Sequence, residues 1–574
     1  MKKVILLIVS CLMTVHLQAR SVFFADGKSG YTIVVASGAS SSEKAAAQEF
    51  RDYVRQVSGA QLAISNNLNT AGKRVFIGWN SRVAALTGKP QPKDNDEGFT
   101  YMTAGDDLFI FGGRKMGTAY GVFSFLEQQL GIHWYTKDFT KIPQIKSYTL
   151  PDLNRSETPA IRSRHVMYYQ TERDFDLATH NLLNAHSGLM KDPKGRYEQL
   201  SALWGAHTFS ALVSPDKYFA SHPEYYSLRS GKRVKDGQLC LSNGNVIRIM
   251  TESLKEKIKQ APGYFAYSVT PNDNNNYCEC KACTKIANRY GGQSGLLIWA
   301  VNQVAAEVAK TYPDAMVATF AYHYTRQAPK NIQVADNVVI RLCDIECCAL
   351  HPVADKESQS YMTDYQAWAK LTNNIYIWDY VTSFVQYLTP LPIYHAIQKD
   401  IQMYAGHDIM GIMEEGQYDS EGGEFAELKQ WLLAKLLWNP NQDVDSLAEM
   451  FIKDYYGAAS GEIWNYYKLL NSLVRPAVHS KYSITQNSEL FTESFISEAD
   501  NLLKQAVKKA SKDAAVLDRV KDVRMQILFL KVIRKGAAYK QGSDYKEFRQ
   551  LINRRQIKLK EGQDSEKFLK TFGF

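Results

Sequence analysis

Tyr264-Phe265-Ala266-Tyr267-Ser268-Val269, running into Thr270-Pro271-Asn272-Asp273-Asn274-Asn275-Asn276-Tyr277-Cys278-Glu279-Cys280-Lys281-Ala282-Cys283, is the stretch that decides the fold. The apolar run predicts a buried strand. The polar loop after it gathers Asp273, four asparagines and three thiols within a few residues. A strand whose C-terminal end opens into such a loop is how an α/β barrel builds an active site.

Working outward, seven more runs read as strands: Arg162–Tyr169, Leu203–Phe209, Leu239–Ser242, Met316–Tyr322, Val338–Cys343, Asn374–Trp378 and Ile409–Glu414. They alternate with helix-like segments such as Leu296–Lys310, Ser358–Leu371 and Leu391–Ala405. Strand–helix alternation calls for a parallel sheet with helical crossovers, and eight strands predict a (β/α)8 TIM barrel over residues 151–440.

Upstream, residues 20–150 predict a small N-terminal α/β accessory domain. It holds strands at Tyr31–Val35 and Arg74–Gly78, and a hairpin of Phe99–Thr103 and Leu108–Gly112. Its helices are Glu43–Val57, opened by Ser41-Ser42 and stopped by Gly59, and Gly117–Leu130, stopped by Gly131. Residues 441–574 carry almost no strand signal; Asp445–Tyr455, Glu462–Leu473, Thr492–Lys509 and Asp513–Lys535 are amphipathic, giving a C-terminal helical domain.

The first nineteen residues read as a signal peptide: basic Lys2-Lys3, an apolar core Val4–Val15, and a small-residue cleavage site at Leu17-Gln18-Ala19. A second reading takes Ile8-Val9-Ser10-Cys11 as a lipoprotein signal anchored through Cys11. Either way the expected location is exported, periplasmic or at the cell surface. No later run approaches the ~20 apolar residues of a membrane span. Net charge is +9. It is spread along the chain, and pairs such as Lys508-Lys509 and Arg554-Arg555 fit solvated helix faces, so nucleic acid is not an expected partner.

Acids at C-terminal strand ends converge on one barrel mouth. The candidates are Asp273 after the fourth strand, Asp344 and Glu346 after the sixth, Asp379 at the seventh, and Glu414 and Glu415 at the eighth. Strand alternation sends one of Glu414 and Glu415 inward and the other outward. Glycosidic cleavage needs two carboxyl groups: one protonated for the leaving oxygen, the other a base, a nucleophile or an anion that orients the substrate. Rings and imidazoles surround these positions and fit sugar faces and hydroxyls: Trp204, His207, Tyr322, His323, Trp378 and Tyr418. A glycan is therefore the expected partner. Cys278, Cys280 and Cys283, with Cys240 or a histidine as fourth ligand, fit either a structural zinc or a disulfide that pins the Asp273 loop. No cofactor is required for catalysis.

The segment Gly112-Gly113-Arg114-Lys115-Met116-Gly117-Thr118-Ala119-Tyr120-Gly121-Val122-Phe123-Ser124-Phe125-Leu126-Glu127, continuing to Gly131-Ile132-His133-Trp134-Tyr135, resembles the domain that precedes the barrel in family 67 α-glucuronidases and family 20 hexosaminidases. His222-Pro223-Glu224-Tyr225-Tyr226, Gln238–Asn243, the Pro271–Cys283 loop, Leu436-Leu437-Trp438-Asn439-Pro440 and Tyr455-Tyr456-Gly457 are similar to the domain of unknown function 4838 family, which includes glycoside hydrolase family 163. That resemblance implies an endo-β-N-acetylglucosaminidase acting on N-glycans, retaining, with the substrate acetamide as nucleophile. With the leader, it suggests a Bacteroides-like glycan-degrading bacterium. The chain departs from the hexosaminidases where their adjacent Asp-Glu would stand: Asp273 is followed by Asn274. An α-glucuronidase-like exo-enzyme, drawing on Arg162, Arg164 or Arg341 for a uronate, and a non-catalytic glycan-binding barrel are the alternatives.

Overall fold

The computed structural model describes residues 21–574; the stretch read as a signal peptide, with Cys11 of the lipoprotein reading, lies outside the described residues. The chain divides into two units. One comprises the residues up to Ile132 together with Ile142–Glu157, the other His133–Lys141 together with Thr158–Phe574.

In the first unit a six-stranded sheet runs in the order Asn154–Glu157, Phe99–Ala104, Asp107–Gly112, Lys73–Ile77, Tyr31–Val34, Ala63–Ser65. The helix Ser41–Ser58 opens with a capping box: Ser40 Oγ accepts from Glu43 N at 3.1 Å, and Glu43 Oε2 accepts from Ser40 N at 2.8 Å. It ends at Gly59, whose φ of 77° turns the chain out of the helix.

The second unit holds the barrel. Its strands are β1 (Ser163–Met167), β2 (Ala185–His186), β3 (Ser201–Trp204), β4 (Ala266–Ser268), β5 (Met316–Ala321), β6 (Val338–Cys343), β7 (Ile375–Tyr380) and β8 (Gly411–Glu415). All are parallel, and they pair in the order β1-β8-β7-β6-β5-β4-β3-β2, a nearly closed TIM-like barrel. β6 is buried along its whole length, as expected of a strand covered on both faces. The helices Gly244–Gln260, Gln293–Ala309, Gln359–Ala369 and Tyr394–Ala405 cover crossovers, and Val444–Tyr456, Ser460–Asn471, Glu493–Ala510, Ala514–Lys535 and Ser543–Arg555 follow the barrel in the same unit. Among the described residues no helix is long and apolar enough to cross a membrane.

Two expected strands differ. The run expected as the second strand, Leu203–Phe209, supplies β3 instead, and β2 is only two residues long, too short for a periodic signal. Leu239–Ser242 is not a barrel strand. Its backbone makes one bridge, Leu239 to Tyr226, and its neighbour Gln238 is tied to the loop after β4. The apolar alternation there serves a loop packing rather than a sheet.

β1 and β2 stand at the two ends of the ladder, and Asn184 joins them. Its Oδ1 accepts from Arg164 N at 2.8 Å, and its Nδ2 donates to Arg162 O at 2.7 Å, so one side chain repeats the bonding of a neighbouring strand. Arg164 adds a bond from Nε to Leu182 O at 2.8 Å. Replacing Asn184 with alanine is expected to cost about 1–3 kcal/mol, because these backbone groups lose partners in a partly buried seam. A lowered urea midpoint would report it; an unchanged midpoint would show that the seam does not depend on this residue.

Candidate active site

The C-terminal ends of the strands surround a cavity of about 400 Å³ whose lining includes His207, Asp273, Tyr322, Trp378, Glu415 and Glu561. Met167, Ala206 and Trp378 also line a deeper cavity of about 180 Å³ inside the barrel, with His165, His186 and Arg341. Strand pleat decides which acids reach this space. On β7, Tyr376, Trp378 and Tyr380 line the cavities; on β8, Met413 and Glu415 do. The intervening Asp379 and Glu414 belong to the opposite face, where the helices pack.

Glu415 is buried and accepts a hydrogen bond from Trp378 Nε1 at 2.7 Å on its Oε2. Burial pushes its carboxyl up to about 8; Trp378 and Arg341 pull it down, while the charges of Glu561 and Asp273 push it up. At neutral pH the group is therefore an acid that retains its proton. Asp273 is exposed at the rim, with Tyr322 Oη donating to its Oδ1 at 3.4 Å. The site thus contains a buried protonated carboxyl and an exposed one in different surroundings, the arrangement that divides acid from base roles.

The Asp273 loop is held by amides. Asn272 Oδ1 accepts from Ser210 N at 3.1 Å, and its Nδ2 donates to Gly237 O at 2.8 Å. Gln238 Nε2 donates to Asn272 O at 2.7 Å and Asn274 O at 2.6 Å. Beyond it, Cys240, Cys278, Cys280 and Cys283 bring their sulfurs within 4.8 Å of one another. Cys240 Sγ lies 3.7 Å from both Cys280 Sγ and Cys283 Sγ. Four thiolates around a tetrahedral ion with metal–sulfur bonds of ~2.3 Å have S···S edges of ~3.8 Å. Backbone Leu228 N also donates to Cys278 Sγ at 3.3 Å. All seven described cysteines are free, and this cluster can hold a structural metal.

Asp344, Asp379 and Glu414 gather on the outer face, all buried. Burial raises Asp344 and Glu414 well above the carboxylate range and Asp379 to about 6. Asp379 stands between the other two, and its Oδ1 accepts from Tyr380 N at 2.6 Å. This cluster backs the mouth without lining its cavity. Glu346 is exposed, bonded by Arg326 Nη1 at 2.7 Å and 3.5 Å from His323 Nδ1; it is not among the residues lining the cavity. Trp204 lies under Lys257 Nζ, 5.3 Å from the ring centroid, and does not line the cavity either. His207 and His323 carry positive φ angles of 52° and 46°, strained backbone at the rim. His207 pairs through Nδ1 with Pro271 O at 2.9 Å.

Arg341 is buried beneath the mouth. Its guanidinium sits 4.2 Å from the Trp378 ring centroid, its Nη1 donates to Gly205 O at 2.9 Å, and its Nε has no partner. Arg164 instead faces outward over Trp438, and Arg162 bonds Ile409 O at the opposite end of the strands. Sequence reasoning missed Glu561, which reaches the cavity from the helical region. Tyr418 Oη donates to Glu561 Oε1 at 2.7 Å, and Glu561 N donates to Phe384 O at 3.0 Å. It also missed Glu172, half-buried between His165 (2.7 Å) and His186 (3.2 Å). Burial pushes Glu172 up, but the two imidazoles outweigh it and hold the carboxyl below its ordinary value. Neither acid stands at a strand end, so no positional signal marked them.

A model of a family described as a domain of unknown function, DUF4838, matches residues 134–468. No curated protein sequence matches the chain. Among solved structures, the chain is similar to BtGH115A, described as a novel family GH115 4-O-methyl-α-glucuronidase with specificity for decorated arabinogalactans, at 12% identity, over 93% of this chain and 76% of that one, with a TM-score of 0.58. It is similar to CpGH84D at 11% identity, over 93% and 90% of the two chains, with a TM-score of 0.50. The chitobiase FjGH20 of Flavobacterium johnsoniae aligns at 10% identity over 96% and 97%, with a TM-score of 0.46. At these identities the likeness is one of fold: a barrel shared with glycoside hydrolases.

The raised carboxyl of Glu415 has a consequence for stability. The unfolded chain releases this proton near pH 4.5, the folded chain near 8, so the folded state binds the proton more tightly and loses stability as pH rises between those values. Glu415→Gln removes that loss, on the order of a few kcal/mol. Its thermal midpoint above pH 8 is expected to exceed that of the unsubstituted protein, with the gap closing toward pH 5. A gap independent of pH would contradict the assignment.

Proposed function

The chain belongs to the DUF4838 family, and we propose that it is a glycoside hydrolase cleaving glycans that contain N-acetylglucosamine, with Glu415 as acid/base and Asp273 as the orienting carboxylate. The observation that carries this reading is the presence in one cavity of a buried carboxyl, Glu415 beneath the Trp378 indole, and a second, exposed one, Asp273. Protonation of the glycosidic oxygen by Glu415 lets the leaving sugar depart as an alcohol. Asp273, with Tyr322 on its Oδ1, is suited to accept the acetamide N–H and turn the acetamide oxygen toward the anomeric carbon. The new C–O bond forms as the glycosidic bond breaks. The Glu415 carboxylate then takes a proton from the water that opens the cyclic intermediate, giving retention. Trp378, Tyr380 and Phe320 offer ring faces to sugars. The endo mode and N-glycan substrates follow from the family 163 resemblance, and the leader reading places the reaction after export. The four-cysteine cluster is proposed to hold zinc, which fixes the Asp273 loop.

A second reading is favoured by Arg341. It makes no ion pair with a carboxylate among the described residues, yet it lies on the wall of the deep cavity, where an anionic sugar such as a uronate would meet it.

Incubation of residues 21–574 with N-glycoproteins, chitooligosaccharides and glucuronoxylan, read by mass spectrometry, separates these readings. Glycans cut within the chitobiose core are expected. Released uronic acid would move the assignment to the second reading, and binding without release would favour a glycan-binding barrel. On a cleaved substrate Glu415→Gln is expected to lower kcat by about 10²–10⁴-fold. Because the acid must be protonated, kcat/KM is expected to fall as pH rises through about 8, and Glu561→Gln to move that limb to lower pH by removing a charge that raises Glu415. An unshifted limb would separate Glu415 from the titration.

A further inference from the structure

Outside the mouth, the loop after β6 carries Cys348 and His351, and the segment after the helix Ser460–Asn471 carries His479. Cys348 Sγ lies 3.4 Å from His351 Nδ1 and 3.7 Å from His479 Nδ1. The two imidazole centroids are 4.9 Å apart, and all three donor atoms lie within 4.8 Å of one another. We propose that Cys348, His351 and His479 form a second metal site, separate from the four-cysteine cluster, which takes a divalent ion of the zinc class and leaves its fourth position open.

The spacing matches that of metal ligands. A tetrahedral zinc with Zn–S of ~2.3 Å and Zn–N of ~2.0–2.1 Å has S···N edges of about 3.6 Å, and the two observed distances bracket that value. Both imidazoles turn the same nitrogen, Nδ1, toward the one sulfur, the convergence a shared ion requires. The far side of His479 is also prepared. Its Nε2 lies 3.7 Å from Glu357 Oε1, and a negative charge on that side favours the proton on Nε2, leaving the Nδ1 lone pair for a metal. The Nε2 of His351 is buried with no partner. A thiolate with two imidazoles suits zinc and its close congeners rather than a hard cation such as calcium or magnesium.

The two segments are brought together by Ala349 N, which donates to Ser480 O at 2.8 Å, while Cys348 N is held on its own side by Ser358 Oγ at 3.3 Å. Cys348 is buried and His479 exposed, so the ion can arrive from solvent onto a seated sulfur. What it would hold is the segment carrying Tyr482. The Tyr482 ring lies 5.8 Å from that of Tyr380, which lines the mouth cavity, and Ser383 Oγ donates to Ile484 O at 2.8 Å in the same segment. The site is thus a clamp behind the rim.

The test counts zinc. Metal-free residues 21–574 and the variants His479→Ala and His479→Cys are titrated with Zn²⁺ against a chromophoric chelator, with circular dichroism to confirm that each is folded. Because His479 is exposed, its replacement leaves the core untouched. The unsubstituted chain is expected to bind one zinc more per chain than His479→Ala, or to bind its last zinc at least tenfold more tightly, and His479→Cys, which restores a ligand, is expected to recover it. Equal zinc uptake and affinity in the unsubstituted chain and His479→Ala would overturn the proposal.

Discussion

The pleat of two neighbouring strands governs the mouth of this barrel. β7 and β8 pair so that Asp379 stands beside Glu414 and Tyr380 beside Glu415. Successive side chains leave a strand on opposite faces, so the pairing sorts the acids into two environments. Glu415 enters the cavity with Trp378 and Tyr380, and Glu414 joins Asp379 and Asp344 behind it. A one-residue slip would exchange the two sets. The inward environment is apolar and ringed by aromatics, and that burial raises Glu415 until it can serve as an acid at neutral pH.

The second carboxyl is placed by different means. Asp273 sits on a loop with no regular secondary structure of its own, and such a loop needs other partners for its backbone. Gln238, Asn272 and Asn274 supply them, and the cysteine cluster closes the far end. From the other side, Glu561 and Tyr418 reach the cavity from loops that also carry Asp419, which accepts from Lys558 Nζ at 3.1 Å and Gly562 N at 3.0 Å. The helical region therefore contributes to the mouth as well as covering apolar surface.

Much of this was legible in the sequence because barrel strands are apolar runs with chemistry at their ends. β6 and the run of β4 into its asparagine loop carried that pattern openly, and the Glu414-Glu415 pair announced that only one of them could face inward. What was not legible had physical causes. β2 is two residues long and leans on the Asn184 side chain, so it leaves no periodicity to read. Leu239–Ser242 alternates like a strand but packs against a loop. Glu561 lies far along the chain from Asp273, in a helical region, and only the tertiary fold brings the two to one cavity. His479 carries no motif of its own, and the fold alone sets it beside Cys348.

In the proposed function a sugar sits between Glu415 and Asp273. A crystal structure of the Glu415→Gln variant soaked with an N-glycan carrying an intact chitobiose core tests it most directly. The glycosidic oxygen is expected within hydrogen-bond reach of the amide introduced by that substitution, with the acetamide against Asp273 and Tyr322 and a sugar face on Trp378. A glycan bound elsewhere, or one whose scissile bond lies beside Glu346 or away from both carboxyl positions, would contradict it.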